Sequence, residues 1–168
     1  MKKNLTLKET GKHGALEEAH KAGKLRSIGV SNFEEKDIDN ILSSCSVKPM
    51  VNQILAHISN TPKELIESCQ DKDILVEAYS PFGHGELFKN DEIKAIANRY
   101  NVSVSQLAIR YCLQLDLLPL PKTANPQHMK TNAVVHFVIS EENMEFLKNM
   151  EQIGHYGEHS KFPVFGKK

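Results

Sequence analysis

Apolar positions along this chain alternate between short continuous runs and stripes spaced three or four residues apart. That alternation sets the order of elements. Four apolar runs predict strands at Leu25–Ser31, Met50–Leu55, Ile74–Ser80 and Leu117–Leu120. The spacing between them is helical. Phe33, Ile38, Ile41 and Leu42 predict a helix capped by Asn32. Leu65, Ile66 and Cys69 mark the buried stripe of a second helix. It is opened by Thr61-Pro62-Lys63-Glu64, a capping box with proline at the first helical position.

Further on, Asp91 to Tyr100 reads as a helix with Ile93, Ile96 and Ala97 inward. Ser103-Val104-Ser105-Gln106 is another capping box, starting a helix to about Leu115. Asn125-Pro126 opens a short helix to about Asn132. Ser140 caps a last one with Phe146, Leu147 and Met150 on one face, ended by Gly154. Ahead of the first strand, Ala15 to Ala22 predicts a helix stopped by Gly23.

The rest is polar. Residues 1–14 are Lys-rich with Gly11 and Gly14 and read as an irregular N-terminal extension, leaving 15–168 as the folded domain. Phe82 to Asn90 is a glycine-containing loop, and His155 to Lys168 an irregular tail. Four strands, each followed by helix, imply an α/β fold with a parallel sheet. The strands lack period-2 alternation, which predicts that both sheet faces are covered.

Charge and cysteines narrow the class. The 21 basic and 21 acidic residues cancel, so no electrostatic footprint for nucleic acid or an anionic membrane exists. No apolar run approaches a membrane span, and residues 1–10 carry no secretory h-region. Cys45, Cys69 and Cys112 are odd in number and embedded in apolar patterns. They read as buried free thiols of a cytoplasmic protein.

Parallel α/β proteins gather chemistry at strand C-termini. Here the tips carry Ser31 and Asn32, Asn52 and Gln53, Tyr79 and Ser80, and Lys122 and Thr123. All hydrogen-bond, one is an aromatic platform, and none is a nucleophile with a partnered base. The set reads as a binding surface for a polar ring and phosphates. Pro121 to Pro126 joins a strand to a helix N-terminus beside Lys122, where backbone amides favour an anion; the alternative is a turn with a solvated lysine. Tyr79 is core or platform, and His57 an acid-base group or a loop histidine. Glu77, inside an apolar strand, is paired or at the sheet margin. His155 and His159 are four apart, but Gly154 and Gly157 disfavour the helix that would pair them, so no metal site is expected. No G-x-G-x-x-G or Walker loop follows a strand.

The segments GKLRSIGVSNF, KPMVNQ, ELIESCQDKDILVEAYSPFGHGEL, SVSQLAIRYCLQ and LPLPKTANPQHMKTN stand in the order and spacing of aldo-keto reductases. The chain resembles that family over about residues 15 to 165. The resemblance implies four βα units like the C-terminal half of a (β/α)8 TIM barrel, with an extra short helix after the last strand. It also implies NADPH-dependent reduction of aldehydes and ketones. Ser31, Asn32 and Gln53 would hydrogen-bond the nicotinamide carboxamide, and Tyr79 would stack on its ring. Ser80 would contact the pyrophosphate, Lys122 and Thr123 the adenosine-ribose phosphate, and Asn132 the adenine. His128 stands where many members carry an arginine for that phosphate, Thr131 where many carry a glutamate, and Ile58 where a proline is common. The lost bidentate charge at His128 leaves NADH as the alternative cofactor.

No segment resembles the family's catalytic Asp, Tyr, Lys and His, which lie in the first half of the barrel, so no catalytic residue is assigned. A full barrel needs about 250 residues. The expectation is therefore a truncated reductase, inactive alone, that meets a small carbonyl substrate only if the missing half is supplied. The alternative is a non-catalytic cofactor-binding module that self-associates through open sheet edges.

Overall fold

The computed structural model describes residues 7–156. Its four strands form a parallel sheet in which each lies beside the next in chain order, an α/β arrangement as expected. The chain folds as two compact units, one of residues up to Ile54 together with Lys63–Val76, the other of Leu55–Pro62 and everything from Glu77.

The first unit contains α1 (Leu7–Lys21), β1 (Gly29–Ser31), α2 (Glu35–Leu42), most of β2 (Val51–Leu55), α3 (Lys63–Asp71) and the start of β3 (Leu75–Tyr79). α1 begins well before Ala15, so residues 7–14 are helical where an irregular extension was expected. Gly11 and Gly14 each cost the helix roughly 1 kcal/mol. Tertiary bonds offset this: the Glu17 carboxylate accepts the Ser46 and Val47 amides at 2.8 and 3.1 Å.

The helix stops at Gly23 with φ +70°. Beyond it the Lys24 and Leu25 amides turn back to the Ala19 carbonyl at 2.9 and 3.3 Å. Those amides are held at the helix end, which confines β1 to Gly29–Ser31 and leaves Leu25 exposed instead of in a buried strand. Asn32 does not cap α2, because its backbone is left-handed (φ +55°). Glu34 is the cap, its N–H donating to the Asp37 carboxylate at 3.0 Å. Ile38 and Ile41 are buried as expected, each stabilising by roughly 1.5–3 kcal/mol.

The second unit contains α4 (Asp91–Arg99), α5 (Val104–Gln114), β4 (Leu118–Leu120), α6 (Pro126–Asn132) and α7 (Glu141–Lys148), with a 3₁₀ segment over Gly83–Lys89. The Asn90 side chain accepts from the Ile93 amide at 3.0 Å to start α4. Ser103 and Gln106 close the capping box of α5 reciprocally, at 3.2 and 3.0 Å. Ile93, Ile96, Leu107, Tyr111, Cys112 and Leu147 are buried here. On α7 the inward residues are Met144 and Leu147, whereas Phe146 is exposed.

Thr61 departs from the expected capping box. Its hydroxyl lies 2.7 Å from the Tyr111 hydroxyl and donates to the His57 carbonyl at 3.2 Å. A partner provided by the fold outcompetes the local one.

Burial alternates along the strands, against the expectation of two covered faces. Asn52 and Ile54 of β2 and Val76 and Ala78 of β3 are buried, while Leu118 and Leu120 of β4 are 43% and 38% exposed. Apolar residues at the uncovered positions masked this alternation in the sequence.

Candidate functional site

At the strand tips of the first unit, register pairs Ser31 with Gln53. The Ser31 hydroxyl donates to the Gln53 carbonyl at 3.0 Å, the Asn32 amide donates to the same oxygen at 2.9 Å, and Asn32 Nδ2 donates to Ser31 Oγ at 3.3 Å. The left-handed turn at Asn32 is what folds its side chain back on Ser31. The three residues predicted to meet a carboxamide therefore form one cluster. Ser31 and Asn32 are exposed and Gln53 half-exposed, so a ligand has access.

Asn52, the fourth polar residue at these tips, belongs to the core. It is fully buried. Its Nδ2 donates to the Phe33 carbonyl at 3.0 Å and its Oδ1 accepts the Phe33 amide at 3.4 Å. It thus holds the chain just after Asn32.

In the second unit the register pairs Tyr79 with Leu120, which sets Tyr79 and Ser80 beside the strand that leads into Lys122. Tyr79 and Ser80 are half-exposed, so Tyr79 is not core. Ser80 has φ +50°, and Gly83, His84 and Gly85 follow at +54°, +52° and +94°. Left-handed backbone in non-glycine residues stores strain that concentrates at ligand sites. Ser80 Oγ lies 3.1 Å from His84 Nε2.

Against this loop packs a pair of residues that are far apart in the sequence, His57 and Tyr156. His57 is 1% exposed, its Nδ1 meets the Ile58 carbonyl, and its Nε2 lies 3.1 Å from the Tyr156 hydroxyl. Tyr156 is itself buried, although the segment from His155 was expected to be an irregular tail. Its ring stands edge-on to His57 and to His84, with centroids 5.8 and 5.7 Å away. Burial pushes the His57 imidazole down to about 4, so it is a neutral structural base and no acid-base catalyst near pH 7. Only the glycines flanking His84 hinted at this cluster.

At the start of α6, Asn125 is the cap. Its Oδ1 accepts the Gln127 and His128 amides at 2.8 and 3.4 Å, and Thr123 Oγ1 accepts the Asn125 amide at 3.1 Å. Two of the amides expected to meet an anion are thus already taken. The side chains around α6 stay accessible, with Lys122 and His128 exposed and Thr123 and Asn132 half-exposed. Each of the nine candidate residues is exposed or half-exposed.

Cations fare differently. Among the described residues, His13, Glu17 and Cys45 place ligand atoms within 4.8 Å of one another. The cluster works as a structural tie. Glu17 accepts from Ser46 and Val47, His13 Nε2 contacts the Val47 carbonyl at 3.0 Å, and Lys21 lies 4.0 Å from Glu17. The Ser46 hydroxyl, followed by the Val47 amide, holds the Glu17 carboxyl down to about 2. His159, the second of the two histidines four apart, lies outside the described residues.

Comparison with known proteins identifies the family. The sequence pattern of the Aldo/keto reductase family matches residues 4–152. An uncharacterised oxidoreductase of Schizosaccharomyces pombe is 43% identical over 143 residues, covering 84% of this chain and 52% of the relative. Glyoxal reductase of Bacillus subtilis is 39% identical over 132 residues, covering 78% of this chain and 48% of the relative. Among solved structures, a Bombyx mori aldo-keto reductase in complex with NADP superposes with a TM-score of 0.81 at 28% identity, over 94% of this chain and 56% of the other. An aldo-keto reductase complexed with NADPH gives 0.76 at 29% identity, over 82% and 46%. The chain spans about half the length of the curated relatives it matches.

Proposed function

The chain belongs to the aldo/keto reductase family, and from that premise we propose that it forms the NADP(H)-binding part of an enzyme reducing aldehydes or ketones. Bound NADPH supplies the hydride. Ser31, Asn32 and Gln53 bind the carboxamide, and Tyr79 carries the nicotinamide ring. Ser80 contacts the diphosphate, Lys122, Thr123 and His128 the ribose phosphate, and Asn132 the adenine.

One observation carries the reading. Ser31, Asn32 and Gln53 form a hydrogen-bonded cluster open to solvent while their neighbour Asn52 is buried. That exposure leaves the cluster open to a ligand.

No residue here is assigned to proton delivery, so the 168-residue chain alone binds cofactor and reduces carbonyls poorly. Its substrate class is small aldehydes or dicarbonyls, in keeping with the 39% identity to a glyoxal reductase. Three free thiols suit a reducing compartment, the cytoplasm.

The test is titration of the purified chain with NADPH, followed by cofactor fluorescence and calorimetry. Saturable binding, weakened about tenfold by Lys122→Ala through the lost charge-assisted phosphate contact, is expected. NADPH and NADH binding equally, with no effect of Lys122→Ala, overturns the phosphate assignment. Absence of binding overturns the cofactor site.

A second reading, a self-associating cofactor-binding module, is favoured by the uncovered Leu118 and Leu120. Sedimentation equilibrium decides it, a monomer across the micromolar range ruling it out.

A further inference from the structure

Resting on the cofactor reading above, we infer that the protonation state of His84 sets the hydrogen-bond direction of Ser80, and so makes binding of the cofactor's diphosphate depend on pH.

Two geometric facts lead there. His84 Nε2 is 3.1 Å from Ser80 Oγ, within hydrogen-bond reach, and both residues sit in left-handed backbone, at φ +52° and +50°. The loop closes on itself through the Gly83 amide to the Ser80 carbonyl at 2.8 Å and the Gly85 amide to the Phe82 carbonyl at 3.0 Å. Tyr156, packed edge-on to the His84 ring and bonded to buried His57, fixes the ring's position. The His84–Ser80 pair is therefore held in place by the fold and does not depend on chance rotamers.

A serine hydroxyl has one proton to give and two lone pairs. With a neutral imidazole whose lone pair is on Nε2, Ser80 gives that proton to the ring. Once the ring is an imidazolium, both nitrogens donate and Ser80 Oγ accepts from it. The Ser80 proton is then released to a phosphate oxygen, beside a new positive charge. Both effects favour an anion as pH falls through the histidine range.

Three neighbouring groups bring no opposing charge. His57 stays neutral down to about 4 because it is buried, and burial pushes the Tyr156 phenol up. On the same loop Glu86 is paired with Lys89 at 2.8 Å.

The experiment is calorimetric titration with NADP⁺ between pH 5.5 and 8.5, with adenosine 2′-phosphate as the control ligand. The control lacks the diphosphate but shares the monoester, which itself takes up a proton near pH 6. The expected result is that affinity for NADP⁺, relative to the control, rises about tenfold toward pH 5.5, as a charge-assisted hydrogen bond implies. His84→Gln keeps an N–H donor of similar reach and should flatten the profile without abolishing binding. Ser80→Ala should make it shallower, leaving only the effect of the imidazolium charge, and His84→Gln added to Ser80→Ala should remove the slope that remains. Parallel NADP⁺ and control profiles, or a slope unchanged in His84→Gln, overturn the inference and leave the cofactor site standing. Failure of the wild-type chain to bind either ligand at any pH overturns the cofactor reading and the inference with it. Circular dichroism of each variant separates lost binding from lost fold.

Discussion

The imidazole of His57 and the hydroxyl of Tyr156, 99 residues apart in sequence, meet at 3.1 Å inside the second unit. The contact ties the connection after β2 to the segment after α7. The Tyr156 ring also packs on His84, which is bonded to Ser80. A residue in an irregular segment thereby supports the loop proposed to meet the diphosphate.

Tyr156→Phe keeps the ring and removes one buried hydrogen bond, and should lower stability by roughly 1 kcal/mol. Tyr156→Ala also removes the ring and should cost about 3 kcal/mol or more. Urea denaturation followed by circular dichroism measures both. Equal stability of wild type and Tyr156→Phe would mean that the hydroxyl contributes nothing in solution.

His57 ties stability to pH. Its folded value is about 4 against an ordinary 6.5, chiefly because burial penalises the imidazolium. Between those values the unfolded chain binds the extra proton and the folded chain does not. Stability from this group is therefore complete above about 6.5 and is lost as pH falls toward 4. The loss amounts to roughly 3 kcal/mol by linkage. Chemical denaturation across that window checks it, with His57→Gln expected to flatten the slope. A wild type equally stable at pH 4.5 and 7 would refute the assignment.

Much of this was legible in the residues, for reasons that differ from place to place. Ser103-x-x-Gln106 and Asn125-Pro126 start helices where local chemistry alone suffices. Thr61-Pro62-Lys63-Glu64 has the same form, yet Thr61 is drawn to Tyr111, a residue 50 positions away, which no local pattern encodes. Asn32 and Asn52 looked equivalent as polar residues at strand tips. Asn32 lies past the end of β1 in a left-handed, exposed turn, whereas Asn52 lies within β2, where the pleat turns it inward. The helical start at Leu7 was hidden by two glycines whose cost is offset by bonds from Glu17 to residues 46 and 47. Beyond the glycines flanking His84, neither His84 nor Tyr156 carried a signal, since their roles exist only once the chain has closed.

Asn52 offers a sharp test of that division. Asn52→Leu is similar in size but leaves the Phe33 N–H and C=O without their side-chain partners. Each unsatisfied buried group costs about 1–3 kcal/mol, so a net loss of roughly 2–4 kcal/mol is expected. Denaturation midpoints report it. A neutral substitution would show that Phe33 finds other partners and that Asn52 does not hold the turn after Asn32.

Gly83 separates backbone strain from crowding. Its φ is +54°, and a Cβ there would sit 3.2 Å from His57 Cε1. That distance requires the neighbour to give way by a few tenths of an ångström. His57 is poorly able to do so, being buried and bonded at both ring nitrogens. Gly23 has a similar φ, +70°, but a Cβ there meets nothing within 4 Å. Gly23→Ala should therefore show the cost of left-handed backbone alone, about 1–2 kcal/mol. Gly83→Ala should add overpacking of the His57 ring and reach roughly 3 kcal/mol. It should also shift the His57 ring resonances in NMR spectra, which Gly23→Ala should leave in place. Equal losses for the two variants, with His57 unmoved, would mean that the loop carrying Ser80 and His84 is free to shift away from His57, and that the packing holding it is weaker than the distances imply.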